Sequence, residues 1–174
     1  LNELLVLEPM NAEVHAQQAN LYSKMNKHHR AIELLQYALT LTDDASNIYA
    51  LIAMEYLYVE DYTNAKNYFI KCLEQDPQDY TALQQLVFCY EVLGDVQEAT
   101  SFLNHYLDQN PYCEVAWYYL GRLYLAIGDY KNALRCLDFA IISDDTFTGA
   151  YFEKARVLEA MNDYQKAIEH YKIT

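Results

Sequence analysis

Glu114-Val-Ala-Trp117-Tyr-Tyr-Leu120-Gly121-Arg-Leu-Tyr124, followed by Gly128-Asp129-Tyr130 and then by Ala133, Leu137 and Ala140, is the stretch from which the rest of the chain can be read. Counted from Glu114, small or apolar residues stand at positions 4, 7, 8 and 11, the spacing of one helical face. Beyond the Gly-Asp break the rule resumes at positions 17, 20, 24 and 27, so the stretch predicts two helices joined by a short turn. Moving outward by 34 residues finds the same pattern: Ala31, Ala65, Ala99, Ala133 and Ala167 share one position, and Tyr22, Tyr56, Tyr90 and Tyr124 another. No insertion interrupts the count, which makes the chain an array of one repeated helical hairpin. The array, 1–174, divides into the tail of a preceding repeat (1–11), repeats at 12–45, 46–79, 80–113 and 114–147, and a truncated fifth at 148–174.

The breaks carry their own chemistry. Gly94 and Gly128 occupy the position where a helix ends in the left-handed conformation, and Asn26 and Asn162, which tolerate that conformation next best, hold it in two other repeats. Glu60 departs from this rule and predicts a less regular turn. Asp61, Asp95, Asp129 and Asp163 follow, each placed to cap the next helix, and Asp95 with Glu98 has the spacing of a capping box. Pro9, Pro77 and Pro111 stop the second helix of a hairpin. Ala19, Ala53, Gly121 and Ala155 at position 8 let the first helix approach the repeated alanine of the second.

Trp117, Leu120, Gly121, Tyr124, Ala133, Leu137 and Ala140 together resemble the tetratricopeptide repeat signature, with Asp145 where that family usually has proline. The resemblance covers essentially the whole chain. It implies an all-α fold, a right-handed α-solenoid of antiparallel helix hairpins in which the first helix of each pair lines the concave side. It also implies binding of a partner segment in that groove. One subgroup of the family grips acidic chaperone tails through Lys, Asn and Arg on three successive repeats. The matching places here hold Ala16, Asn20, Leu51, Thr81 and Gln85, or Ala50, Met54, Gln85, Val115 and Tyr119 one repeat on, so that activity is not expected. The asparagine ladder of the sugar-transferring members is replaced by Gln17, Leu51, Gln85, Tyr119 and Glu153.

Composition narrows the partner. The net charge of −13 disfavours nucleic acid, whose phosphates the surface would repel. Between Leu73 and Gly121 there is no Lys or Arg, against Glu74, Asp76, Asp79, Glu91, Asp95, Glu98, Asp108 and Glu114. That stretch reads either as a self-repelling solvated surface or as an attractor for a basic segment. Hydrophobic residues make up 53% of the chain, enough for a continuous core, yet no apolar run is long enough to span a membrane. Cys72, Cys89, Cys113 and Cys136 lack zinc-ligand spacing and read as reduced thiols, which fits the cytoplasm. Leu1, Leu4, Leu5 and Leu7 read as the second helix of a repeat whose first helix is missing. With no polar cap after Lys172, the piece reads as excised from a longer array, and end-to-end self-association is expected.

With positions 4, 7, 8 and 11 turned inward, the outer face of each first helix is legible. Repeat one offers Glu13, Ala16, Gln17, Asn20, Ser23 and Lys24, a polar set. Repeat two offers Ala50, Leu51, Met54, Leu57 and Tyr58; repeat three Phe88 and Val92; repeat four Tyr118, Tyr119, Arg122 and Leu125; repeat five Phe152, Glu153 and Arg156. The hairpin itself does not require these apolar and aromatic residues, and such a strip marks a contact site; curvature of the array is the competing use for Leu51 and Tyr119. The candidate groove is therefore Ala50, Met54, Leu57, Tyr58, Phe88, Val92, Tyr118, Arg122, Leu125, Phe152 and Arg156. Arg122 and Arg156 share a position in adjacent repeats and could converge on one anion, or pair with Glu153 or Glu159. Lys154, at an inward position, either reaches out past the core or faces a further repeat. His28 and His29 read as solvent-exposed. No phosphate loop and no nucleophile beside a base is present, so neither catalysis nor a cofactor is expected. The reading is a module that binds a protein or peptide segment, apolar and, opposite the acidic stretch, basic. The alternatives are a structural spacer or assembly arm of a larger protein, or the regulatory domain of an enzyme.

Overall fold

The computed structural model describes residues 11–43 and 45–174, and the leucines and Pro9 of the expected preceding repeat lie outside them. Among the described residues there are ten α-helices and no strand: α1 (Ala12–Lys24), α2 (His28–Leu39), α3 (Ser46–Tyr58), α4 (Tyr62–Gln75), α5 (Tyr80–Leu93), α6 (Val96–Gln109), α7 (Glu114–Ala126), α8 (Tyr130–Ser143), α9 (Thr148–Ala160) and α10 (Tyr164–Tyr171). They group into two compact units, the first ending at Gly94 with α1–α5 and the second beginning at Asp95 with α6–α10.

The turns repeat to the hydrogen bond. At the turns through Asn26, Glu60, Gly128 and Asn162, the amide at position 16 donates to a carbonyl five residues back: Lys27 to Tyr22, Asp61 to Tyr56, Asp129 to Tyr124 and Asp163 to Leu158, each at 2.9 Å. This is the bond that closes a helix C-terminus through one left-handed residue. Asn26, Gly94, Gly128 and Asn162 take that conformation, and so does Glu60, at φ +60°. The irregular turn expected at Glu60 is thus not found. The paired bonds Asp61 N–H to Tyr56 and Glu60 N–H to Leu57 hold the residue there against its intrinsic preference. Asp61, Asp129 and Asp163 cap their helices, accepting from the amides of Asn64, Asn132 and Lys166. The Asp95 half of the capping box expected with Glu98 is not formed: Asp95 sits at ψ 49°, short of the 65–73° of the other three, and its side chain does not cap α6.

Close packing of the hairpins follows from the small residues. Ala31, Ala53, Ala65, Ala133 and Ala155 are fully buried, and Ala19 nearly so. Gly121 shows why: a Cβ there would lie 2.8 Å from Leu137 Cγ and 3.3 Å from the Ala133 carbonyl oxygen. In the first unit Ala19, Ala31, Leu35, Ala38, Ile48 and Ile52 form the core joining α1, α2 and α3. In the second, Ala133, Leu137, Ala140, Ala150 and Val157 join α8 and α9, with Trp117, Tyr118 and Leu125 of α7 packed against them. Lys154 reaches out of its inward position to an ion pair with Asp138, 2.7 Å away.

Candidate functional site

α3, Ser46–Tyr58, is apolar almost all round, and Glu55 is its one charged residue. One face of α3 packs on α2 and α4; the face left over carries Leu51, Met54 and Tyr58. Across from it stands the polar face of α1, with Glu13, Gln17, Asn20 and Ser23. The two faces do not close on each other. Between them lies a cavity of about 370 Å³, floored by Ala19 and Leu35 and lined by these residues together with Ala16 and Glu55. Leu51 and Tyr58 are exposed to solvent and Met54 is half-buried, whereas the Glu55 side chain is only 9% exposed.

A buried carboxylate needs a partner, and His28 supplies one: its Nδ1 lies 2.8 Å from Glu55 Oε2. The expectation that His28 is solvent-exposed is corrected here. As the first residue of α2 it is brought against α3, where it also lies on the Tyr58 ring at a centroid distance of 5.2 Å. His29, its neighbour, is exposed as expected.

Of the remaining candidates in the first unit, Ala50 and Leu57 are half-buried and stand apart from the cavity, while Phe88 and Val92 are exposed on α5. Phe88 meets the Tyr62 ring edge-on, 6.0 Å between centroids.

The second unit arranges its first-helix face differently. Tyr119, at the same repeat position as Leu51, is 9% exposed against 42% for Leu51. Tyr118 packs edge-on against both Tyr119 and Phe147, at 5.2 Å in each case. The Arg122 guanidinium lies over both tyrosine rings, 5.8 and 5.7 Å from their centroids. Burial pushes the Tyr118 phenol up from its ordinary value, with Arg122 pulling the other way. Arg122 and Arg156 do converge, on the buried carboxylate of Glu153: Arg156 Nη1 donates to Oε2 at 2.9 Å and Oε1 at 3.1 Å, and Arg122 Nε lies 4.0 Å from Oε1. The ion-pair alternative is the one the structure adopts. Phe152 is exposed and meets Tyr171 edge-on, and Leu125 is half-buried against the core.

All four cysteines are buried, free thiols. Among the described residues no cluster of His, Cys, Asp or Glu is placed to hold a metal ion, and no helix is long and apolar enough to cross a membrane.

The sequence matches family models described as tetratricopeptide repeat over residues 14–49, 56–117 and 116–173. No curated protein matches it. Solved structures are similar in fold. The crystal structure of MamA superimposes with a TM-score of 0.69 at 17% identity, over 89% of this chain and 91% of that one. MamA from Desulfovibrio magneticus RS-1 gives 0.71 at 16% identity, over 93% and 92%. YrrB, whose structure is described as that of a TPR protein with an unusual peptide-binding site, gives 0.66 at 21% identity, over 99% and 89%.

Proposed function

The chain belongs to the tetratricopeptide repeat family, and we propose on that premise that it is a protein-interaction module which holds an extended or helical segment of a partner along the outer faces of its first helices, chiefly by apolar contact. The observation that carries the proposal is the α1–α3 cavity. Leu51 and Tyr58 stay exposed beside it although the hairpins are complete without them. Exposed apolar side chains around a cavity of this size are what a docked segment would cover. YrrB is a precedent for peptide binding on this fold, while its 21% identity carries the fold alone.

The residues proposed for contact are Ala50, Leu51, Met54, Leu57, Tyr58, Phe88 and Val92 on the first unit and, taken by themselves, Tyr118, Arg122, Leu125, Phe152 and Arg156 on the second, with Leu51 the one addition to the set read from the sequence. The exposed members are the ones to test, because Tyr118 and Leu125 also support the core. Short random peptides displayed on phage and selected on the 174-residue chain should yield binders. The L51S/Y58S/F88S variant should keep its helical circular dichroism and melting temperature and lose those binders by about tenfold or more. Binders that hold the variant as tightly as the parent would place the contact elsewhere and end the groove reading.

A further inference from the structure

Resting on that groove reading, we infer that the α1–α3 cavity is a subsite for the cationic side chain, lysine or arginine, of the bound segment. Three features of the cavity argue for this occupant. Its charged lining residues are both acidic, Glu13 at the rim and Glu55 within, and no Lys or Arg lines it. Its walls, Leu51, Met54 and the Tyr58 ring, suit the aliphatic stem of a long cationic side chain, which packs its methylenes on apolar surface and keeps its charge at a polar end. An aromatic face next to a carboxylate adds attraction for a cation.

The third feature is the state of Glu55. Its side chain is 9% exposed and His28 is the ion partner the structure gives it. The cavity is its opening to water. A purely apolar side chain seated there would strip that water and leave the carboxylate further desolvated, which is costly. A carboxylate or phosphate would meet two like charges. A lysine ammonium or an arginine guanidinium replaces the lost water with a charge-assisted hydrogen bond, so occupancy by a cation is the arrangement that leaves no charge stranded. The overall charge of −13 favours the same encounter at longer range.

The test uses the peptides selected above on the full 174-residue chain. Binders should carry a Lys or Arg whose charge contributes to binding. Exchanging that lysine for norleucine, which keeps the stem and removes the charge, or that arginine for citrulline, should weaken binding to the parent protein about tenfold. The Glu55→Gln protein should bind the charged and neutral peptides within about twofold of each other, the signature of direct coupling. Should Glu55→Gln fail to fold, the norleucine comparison on the parent protein decides alone, and the exposed Glu13→Gln variant should still reduce discrimination. Groove-dependent binders without a cation, or norleucine peptides as tight as lysine ones, overturn the subsite and leave the groove reading standing. Binders indifferent to L51S/Y58S/F88S overturn the groove reading itself.

Discussion

The two units bury a carboxylate each and treat it in opposite ways. Glu55 in the first is met by one imidazole and opens on a cavity; Glu153 in the second is met by two guanidinium groups under a lid of tyrosines. The residues at repeat position 9 account for much of this. In the first unit it holds Asn20, Met54 and Phe88, none of them charged, and the first two line the cavity, whereas in the second it holds Arg122 and Arg156, which both reach Glu153. A repeat thus fixes the backbone and leaves the outer face of each first helix free to be open or self-satisfied. On the proposed function, the open one is where a partner would have something to contribute.

The largest expected effect separates the two carboxylates by stability. Replacing both Arg122 and Arg156 by Met strands Glu153, and breaking a buried pair this way costs about 3 kcal/mol or somewhat less, since the arginines are partly solvated. His28→Leu should cost only about 1 kcal/mol, because water in the cavity can still solvate Glu55. Urea unfolding followed by circular dichroism reads both. Equal losses would mean that Glu55 is as sealed as Glu153, and the contrast between an open and a closed unit would be gone.

Packing differs between units on a smaller scale. Gly121→Ala should destabilise by about 1–2 kcal/mol despite the better helix propensity of alanine, because the new Cβ meets Leu137 at 2.8 Å. Gly149→Ala, whose Cβ would find only ordinary contacts at 3.5 Å, should be neutral or slightly stabilising. Melting temperatures of the two variants, measured side by side, check the pair; a stabilising Gly121→Ala would show that Leu137 gives way freely. In the first unit the turn residue Glu60 offers the reverse test. At φ +60° a side chain is strained, so Glu60→Gly should raise stability by roughly 0.5–1 kcal/mol, offset in part by the freer unfolded chain. No change in its unfolding midpoint would mean that the turn absorbs the strain.

How much of this the sequence announces depends on whether a residue's fate is set by its own hairpin. The period, the alanines and the turn residues are local and were legible: Ala133 and Gly121 face each other because both lie on the inner stripes of one hairpin. Exposure at position 6 was not. Leu51 and Tyr119 share that position and end at 42% and 9% exposed, because Tyr118 and Arg122 fold over the latter. The pairing of Glu55 with His28 is not legible for a similar reason, as they meet only when α2 packs on α3. A signal existed: Glu55 is the lone charge in an otherwise uncharged helix, and a lone charge in such a setting needs a partner from elsewhere. The regular turn at Glu60 is not legible from residue type, because the turn's own backbone bonds override that residue's preference for the right-handed region.

The smallest difference expected between the two units lies in a property they share, which makes it a control on the contrast. Burial pushes the thiols of Cys72 and Cys136 up to about 12 and that of Cys89 up to about 11. An unfolded thiol titrates near pH ~8.5. Above that value the unfolded chain gives up protons that the folded chain retains, so the contribution of these thiols is fully present below pH ~8 and declines as pH rises toward the folded values. Unfolding midpoints should therefore fall between pH ~8 and ~10, and a variant with Cys72 and Cys136 changed to Ala should show a flatter profile over that window. Iodoacetamide at pH ~8 should label Cys72 and Cys136 far more slowly in the folded chain than in urea, since the thiolate is the reactive form. Mass spectrometry of the labelled peptides assigns the rate to each unit. Rapid labelling of Cys72 with Cys136 protected would mean that the first unit opens far beyond its cavity, so that its exposed leucine and tyrosine report local unfolding rather than a formed binding face.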